Sequence, residues 1–251
     1  MTILTGAFII VMSFLTAALS GVFGMAGGLL LKGALALVLP VSATFVVHGI
    51  LQLVANAWRA ILHRRHVDLK IVGLFAIGSF AAGAVMAYVA LEPTKATLYL
   101  LMGLVPGLVW LPDGWVKVDA SRPGQALLAG FIVTGVNLTA GVAGPLLDVF
   151  FVRTALTRHE IVATKAATQV FSHIMKIAVY GAPLLAIGGK GMPPAWVFAL
   201  AIPLSMLGTA AGGLVLNRLS DVNFKRYLRL ILTVIGAAYL VQAARLYLGW
   251  G

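Results

Sequence analysis

Gly24-Met25-Ala26-Gly27-Gly28-Leu29-Leu30 comes back later in the chain as Gly141-Val142-Ala143-Gly144-Pro145-Leu146-Leu147, and this pair of stretches decides how the chain is organised. The offset between them is 117 residues, from 24 to 141. Further on, Ala43-Thr44 is matched by Ala163-Thr164 at an offset of 120, so one three-residue gap aligns the two halves. Each glycine stretch leads into an apolar segment, 26–39 or 145–156, too short to cross a bilayer comfortably at 1.5 Å per residue. A short apolar segment directly after clustered glycines predicts a hairpin bent inside or near the membrane.

Working outward, apolar segments run at about 3–22, 26–39, 42–62, 69–91, 95–111, 124–140, 145–156, 160–180, 194–216 and 224–248. Most reach the length of about twenty residues that carries a helix through a hydrocarbon core of about 30 Å. Composition agrees: 61% of the 251 residues are hydrophobic and only 10% are charged, against about a quarter in a soluble domain. Nothing before Lys32 is charged, so the first apolar run lacks the basic start of a cleaved signal and is expected to stay as a helix. There is no cysteine, which removes disulfides and thiolate chemistry from consideration.

The net charge of +11 does not point to nucleic acid, because the basic residues gather in short loops between apolar runs rather than along one stripe. Those loops orient the halves. His63-Arg64-Arg65-His66-Val67-Asp68-Leu69-Lys70 is strongly basic, and the next loop, Leu91 to Lys95, is nearly neutral. In the second half the order flips: Gly188-Gly189-Lys190-Gly191 is weakly charged, and Asn217-Arg218 through Lys225-Arg226 is basic. If basic loops stay in the cytoplasm, equivalent loops lie on opposite sides, and the halves are inverted repeats. The expected fold is therefore an all-α polytopic membrane protein of two inverted-topology repeats, 1–116 and 117–251, forming one transmembrane domain. Each repeat is a glycine-bent hairpin plus three transmembrane helices, and both termini fall outside the cytoplasm of a bacterial-type inner membrane. Inverted repeats are an architecture of alternating-access transporters, with the site near the midplane.

Polar residues within apolar helices need a reason, because lipid penalises them. In the helix predicted over 42–62, His48, Gln52 and Asn56 recur every four residues and Arg59 continues the row. In its partner over 160–180, Lys165, Gln169, His173 and Lys176 do the same, with Thr168 and Ser172 beside them. Spacings of three and four put each set on one helix face. The halves align Gln52 with Ser172 and Asn56 with Lys176. Gln, Asn and Ser also serve as hydrogen-bonding glue between helices. Lys176, about a turn from the predicted helix end, and Lys165, near the start, are both within reach of the interface by snorkelling.

The bends supply a second source of positive potential. Helices starting just after Gly27-Gly28 and after Gly144-Pro145 present free N–H groups and positive dipole ends, and Pro145 is tolerated in a first turn. Asp148 is the only carboxylate well inside an apolar run. It reads as a coupling proton site or as an ion-pair partner for Lys32, one position away in the repeat alignment. Asn137 and Thr139, just before the second bend, are weaker candidates for the site wall. His63-x-x-His66 sits among arginines that would repel a metal cation, and no Ser–His–Asp set or carboxylate pair appears. No metal, cofactor or enzymatic role is expected.

The paired Gly-x-x-Gly-Gly and Gly-x-x-Gly-Pro bends, each followed by Ala-Thr, resemble the TauE/SafE family of membrane permeases. So do the basic loop ending in Val67-Asp68 and Lys176-x-x-x-Tyr180 in the second long helix. The resemblance covers about residues 5–248. It implies a transporter, often an exporter, of sulfite, sulfonates or related organic sulfur anions. Two positions depart from the family pattern: Ala26 interrupts the glycine run, and Lys32 stands where an apolar residue or proline is expected.

The expected site thus holds a small anion between the bends, on Gly27, Gly28, Gln52, Asn56, Gly144, Gln169, His173 and Lys176. Asp148 and His173 are the candidates for proton coupling. A passive anion channel on the same positive groups is the alternative. A divalent-cation permease with Asp148, His48 and His173 as ligands is a weaker one, given the excess of lysine. The partners are the anion and membrane lipid, with a homodimer left open.

Overall fold

The computed structural model describes residues 1–24, 26–89, 93–112, 117–151, 153–216 and 221–250, and among these the chain is helical without strands. The helices are α1 (Ile3–Phe23), α2 (Ala26–Val38), α3 (Val41–Leu62), α4 (Leu69–Val89), α5 (Lys95–Leu104), α6 (Pro123–Thr139), α7 (Gly144–Phe151), α8 (Arg158–Ala186), α9 (Ala195–Leu216) and α10 (Asp221–Tyr247). Of the loops that orient the halves, Leu91-Glu92 and Asn217 to Ser220 lie outside the described residues.

Among the described residues, five stretches are long and apolar enough to cross a membrane: 3–23, 41–62, 69–89, 195–215 and 226–247. The distribution of side chains says the same. Lys32, His48, Asn56, Asn137, His173 and Lys176 are buried, while Leu15, Ile77, Leu200, Leu207 and Leu214 face outward. A water-soluble protein does the reverse. The protein is a multi-pass membrane protein.

Helix ends follow local chemistry. Thr94 Oγ1 accepts from Thr97 N at the start of α5, and Asp68 Oδ1 accepts from Lys70 N and Ile71 N at the start of α4. Thr157 and Glu160 close a capping box on α8. The Ala-Thr pair of the second half has a further use, since Thr164 Oγ1 accepts from Asp68 N at 2.9 Å and ties α8 to the loop before α4.

Three elements differ from expectation. The 95–111 segment is not one α-helix. It tightens at Val105 into a 3-10 turn to Trp110, because Pro106 brings no N–H to the ladder. The second bend's helix ends at Phe151 instead of running to 156, and Thr154 turns back to donate to the Phe151 carbonyl. Finally, α8 continues past Tyr180 to Ala186 with Pro183 inside it. Lys176 is therefore about three turns from the helix end and fully buried, which rules out snorkelling.

The helices pair as α1 with α9, α4 with α6, α3 with α8, and α5 with α10. In addition, α2 touches α10, and α7 touches the 3-10 turn that follows α5. The α4/α6 pair is close enough that a Cβ on Gly78 or Gly130 would overlap the other helix's backbone. The α2 and α7 helices have 13 and 8 residues, about 20 and 12 Å at 1.5 Å per residue, short of a full crossing. Both begin inside the protein, at the buried residues Ala26 to Leu29 and Gly144-Pro145.

Candidate functional site

The two bends turn on equivalent glycines. Gly24 has φ 74° and Gly141 has φ 78°, a left-handed region that residues with a Cβ seldom occupy. After them, α2 starts at Ala26 and α7 at Gly144. Gly27 and Gly28 therefore lie within the first turn of α2, and Gly144 opens α7, rather than preceding the helices. The first-turn N–H groups have no partner within their own helices.

Between the bends lies a cavity of about 30 Å³, with room for about two waters. Its wall is made by Gly28 and Gly144 from the bends, Gln52 and Asn56 from α3, and Gln169 and His173 from α8. Six of the eight residues singled out from the sequence thus meet at one place. The other two sit elsewhere. Gly27 is turned against α1, where a Cβ would overlap the Thr16 carbonyl. Lys176 stands behind the wall.

His48 and Asn137 also line the cavity, and both are tied to Lys176. The Lys176 ammonium donates to Asn137 Oδ1 at 2.7 Å and to the Gly141 carbonyl at 2.6 Å, and it lies 3.2 Å from His48 Nδ1. The protonation of His48 follows by elimination. Its Nε2 lies 2.9 Å from the Gly28 carbonyl, which only accepts, so Nε2 carries the hydrogen. Nδ1 is then the acceptor that Lys176 needs. All three donors of Lys176 are used, and through His48 it links the Gly141 carbonyl of the second bend to the Gly28 carbonyl of the first.

This network leaves an amide donor facing inward. Because Asn137 Oδ1 is held by an ammonium, its Nδ2 points the other way, and it is buried without a partner among the described residues. His173 Nδ1 is likewise buried and unpartnered among them. The rings of His173 and His48 meet edge to face at 5.7 Å. Asn56 donates to the Gln52 carbonyl oxygen at 2.9 Å, which holds the α3 row in place. Ser172, beside His173, donates to Thr134 at 2.6 Å, since Thr134 gives its only hydroxyl proton to Ser79 at 2.8 Å.

Asp148 does not pair with Lys32. It forms an ion pair with Lys165 of α8 at a partly exposed position outside the cavity wall. Lys32 is 0% exposed, has no acceptor among the described residues, and lies 3.1 Å above the centre of the Phe45 ring. The α7 helix is too short and turned too far outward to bring its carboxylate beneath the bend. Thr139 bonds back to the Gly135 and Val136 carbonyls and is absent from the wall. Sequence reading undervalued His48 and Asn137, although His48 belongs to the same four-residue row as Gln52. Among the described residues, no group of three or more His, Asp or Glu could hold a metal ion.

The wall carries side-chain amides and imidazoles and the first turns of two helices, and among the described residues no carboxylate lines it. No curated protein and no solved structure matches the chain. Residues 9–239 match the family described as sulfite exporter TauE/SafE. With nearly its whole length matched, the chain belongs to the TauE/SafE sulfite exporter family, membrane transporters of sulfur anions rather than enzymes.

Proposed function

We propose that this protein is a secondary transporter that binds a small sulfur oxyanion, sulfite or a compact sulfonate, between the two glycine bends and exports it by alternating access. The observation that carries this reading is Asn137 Nδ2, a buried amide donor without a partner among the described residues, beside the unpartnered ring nitrogen Nδ1 of His173, on a cavity whose described wall holds no carboxylate. Unsatisfied buried donors are costly, and an anion's oxygens satisfy them in charge-assisted bonds. The cavity's volume of about 30 Å³ favours the smallest anions of the class.

Two features support an inverted repeat behind the motion. Exchanging each helix for its equivalent turns the α1/α9 contact into α6/α4, and turns α2/α10 into the contact of α7 with the 105–110 turn. The bends also share a left-handed glycine at equivalent positions. Rocking of such repeats about the α3/α8 pair would open the site to one side and then the other. With basic loops in the cytoplasm, both termini face outward from a bacterial inner membrane. His173, on the cavity wall, is the better candidate for proton coupling. Asp148 is engaged with Lys165.

The test is thermal unfolding of the detergent-purified protein with a panel of sulfite, sulfate, taurine, sulfoacetate, small carboxylates and divalent cations. A ligand at a hundred times its Kd stabilises the folded state by about 2.7 kcal/mol. Stabilisation by sulfite, lost or much weakened in Gln169→Leu, supports the reading. Stabilisation by divalent cations alone would sink it.

A further inference from the structure

Lys32 is the residue that the anion site leaves over. It stands where the family pattern leads one to expect an apolar side chain, yet it is fully buried and makes no hydrogen bond among the described residues. Its ammonium rests on the face of Phe45 at 3.1 Å. A cation on an aromatic face gains far less than losing water costs a buried charge. Such a group in a native structure calls for a reason.

Its position supplies one. Lys32 lies against Gly141, the pivot of the second bend, with Nζ 3.1 Å from where a Cβ would stand. The carbonyl of the same glycine takes Lys176, whose Nζ is 5.9 Å from the same Phe45 ring. Two lysine side chains, neither of them in the cavity wall itself, thus flank one bend, and Asp148 is engaged by Lys165. Lys176 has spent its three donors on the protein. Lys32 has spent none.

We propose that Lys32 sets the charge selectivity of the site, giving it a preference for doubly charged oxyanions over singly charged sulfonates of the same shape. The inference rests on the anion-site reading above. A monoanion balances one of the two ammonium groups and leaves the other unpaired in a medium of low dielectric. A dianion balances both. Attraction in such a medium is several-fold stronger than in water, so the second charge acts whether or not Lys32 leaves Phe45 to touch the anion. Its flexible four-carbon stem permits that contact.

The experiment compares sulfate with methanesulfonate, which replaces one oxygen by a methyl group and removes one charge. Affinities are read by ligand-induced shifts in unfolding temperature for wild type, Lys32→Met and Lys32→Arg in detergent. Wild type should bind sulfate more tightly than methanesulfonate. Lys32→Met should weaken sulfate binding by roughly tenfold or more, the worth of one bond to a charged group, and methanesulfonate much less. Lys32→Arg should keep the preference. Without ligand, Lys32→Met should unfold at a higher temperature than wild type, because an unpaired buried charge has been replaced by an apolar chain of similar length. If Lys32→Met weakens both anions equally, or neither, the selectivity role is wrong. A lowered unfolding temperature with unchanged selectivity would make Lys32 a packing residue. If wild type binds neither anion, the site itself falls and the inference goes with it.

Discussion

The two glycine bends share a backbone and differ in charge. Both pivot on a left-handed glycine, Gly24 or Gly141, and both lead into a short helix. Yet α2 has 13 residues and drives Lys32 into the centre, while α7 has 8 and leaves Asp148 part-exposed beside Lys165. The surroundings of the pivots differ accordingly. A Cβ on Gly24 meets nothing within 4 Å, whereas one on Gly141 would overlap the stem of Lys32. The two turns share what their backbones require, while the side chains that follow them differ. Positive charge gathers at the second bend, where Lys32 comes from one half and Lys176 from the other.

The largest effect expected from breaking this asymmetry is at Lys176. Replacing it with Met leaves His48 Nδ1, Asn137 Oδ1 and the Gly141 carbonyl without their donor. Removing one member of a buried polar network costs about 3–5 kcal/mol. A marked drop in unfolding temperature is expected, opposite in sign to Lys32→Met. If the two lysine variants behave alike, the division into one satisfied and one unsatisfied ammonium is wrong.

Next come the pivots. Gly24→Ala carries only backbone strain, about 1–3 kcal/mol. Gly141→Ala carries similar strain plus the overlap with Lys32, and should unfold at a clearly lower temperature. The excess should shrink when Gly141→Ala is combined with Lys32→Ala, since the pair is in contact and additivity should fail. Equal costs at Gly24 and Gly141, or a double variant that is simply additive, would show that the second pivot is no more crowded than the first.

How much of this was legible beforehand depended on which force decides it. Helix positions followed from runs of apolar residues, and the bends from glycine clusters, because both are local consequences of lipid and of backbone freedom. The meeting of Gln52, Asn56, Gln169 and His173 followed from rows at four-residue spacing on equivalent helices. What could not be read was which charged group pairs with which. The alignment set Asp148 beside Lys32, but equivalence in a repeat is not proximity in the fold. The α8 helix runs past the expected end at 180 to Ala186, since a helix packed among others accommodates Pro183. An end at 180 made Lys176 look able to snorkel. Lys32 was visible as a lysine in an apolar run, but its lack of an acceptor is a fact of packing.

A smaller effect is expected at Asp148. The Asp148–Lys165 pair is 36% and 17% exposed in its side chains, so solvent screens it and its loss should cost about 1 kcal/mol or less. Asp148→Asn should leave anion affinity unchanged, because Asp148 does not line the cavity. Proteoliposome flux under an imposed pH gradient separates the two candidates for coupling. If Asp148→Asn abolishes the response to pH and His173→Gln does not, coupling belongs to the second bend's own carboxylate rather than to the cavity wall.

The smallest effect concerns the loops that the halves do not share. The basic loop after α3 holds His63 and His66, and His66 lies 5.5 Å from His159 at the start of α8, ring centre to ring centre. The equivalent loop of the second half, Gly188 to Gly191, has no histidine. Partial burial lowers the His63 pKa below the ordinary histidine range, and Arg59, His159 and His66 add repulsion. The unfolded chain then takes up this proton at a higher pH than the folded one. Stability is full above the unfolded value of about 6.5 and declines as pH falls from there toward the folded value. His63→Asn should flatten the fall in unfolding temperature between about pH 7.5 and pH 5.5. Identical slopes in wild type and His63→Asn would mean that the crowding of positive groups at this end is fully screened by solvent, and that the charge difference between the halves is felt only at the bends.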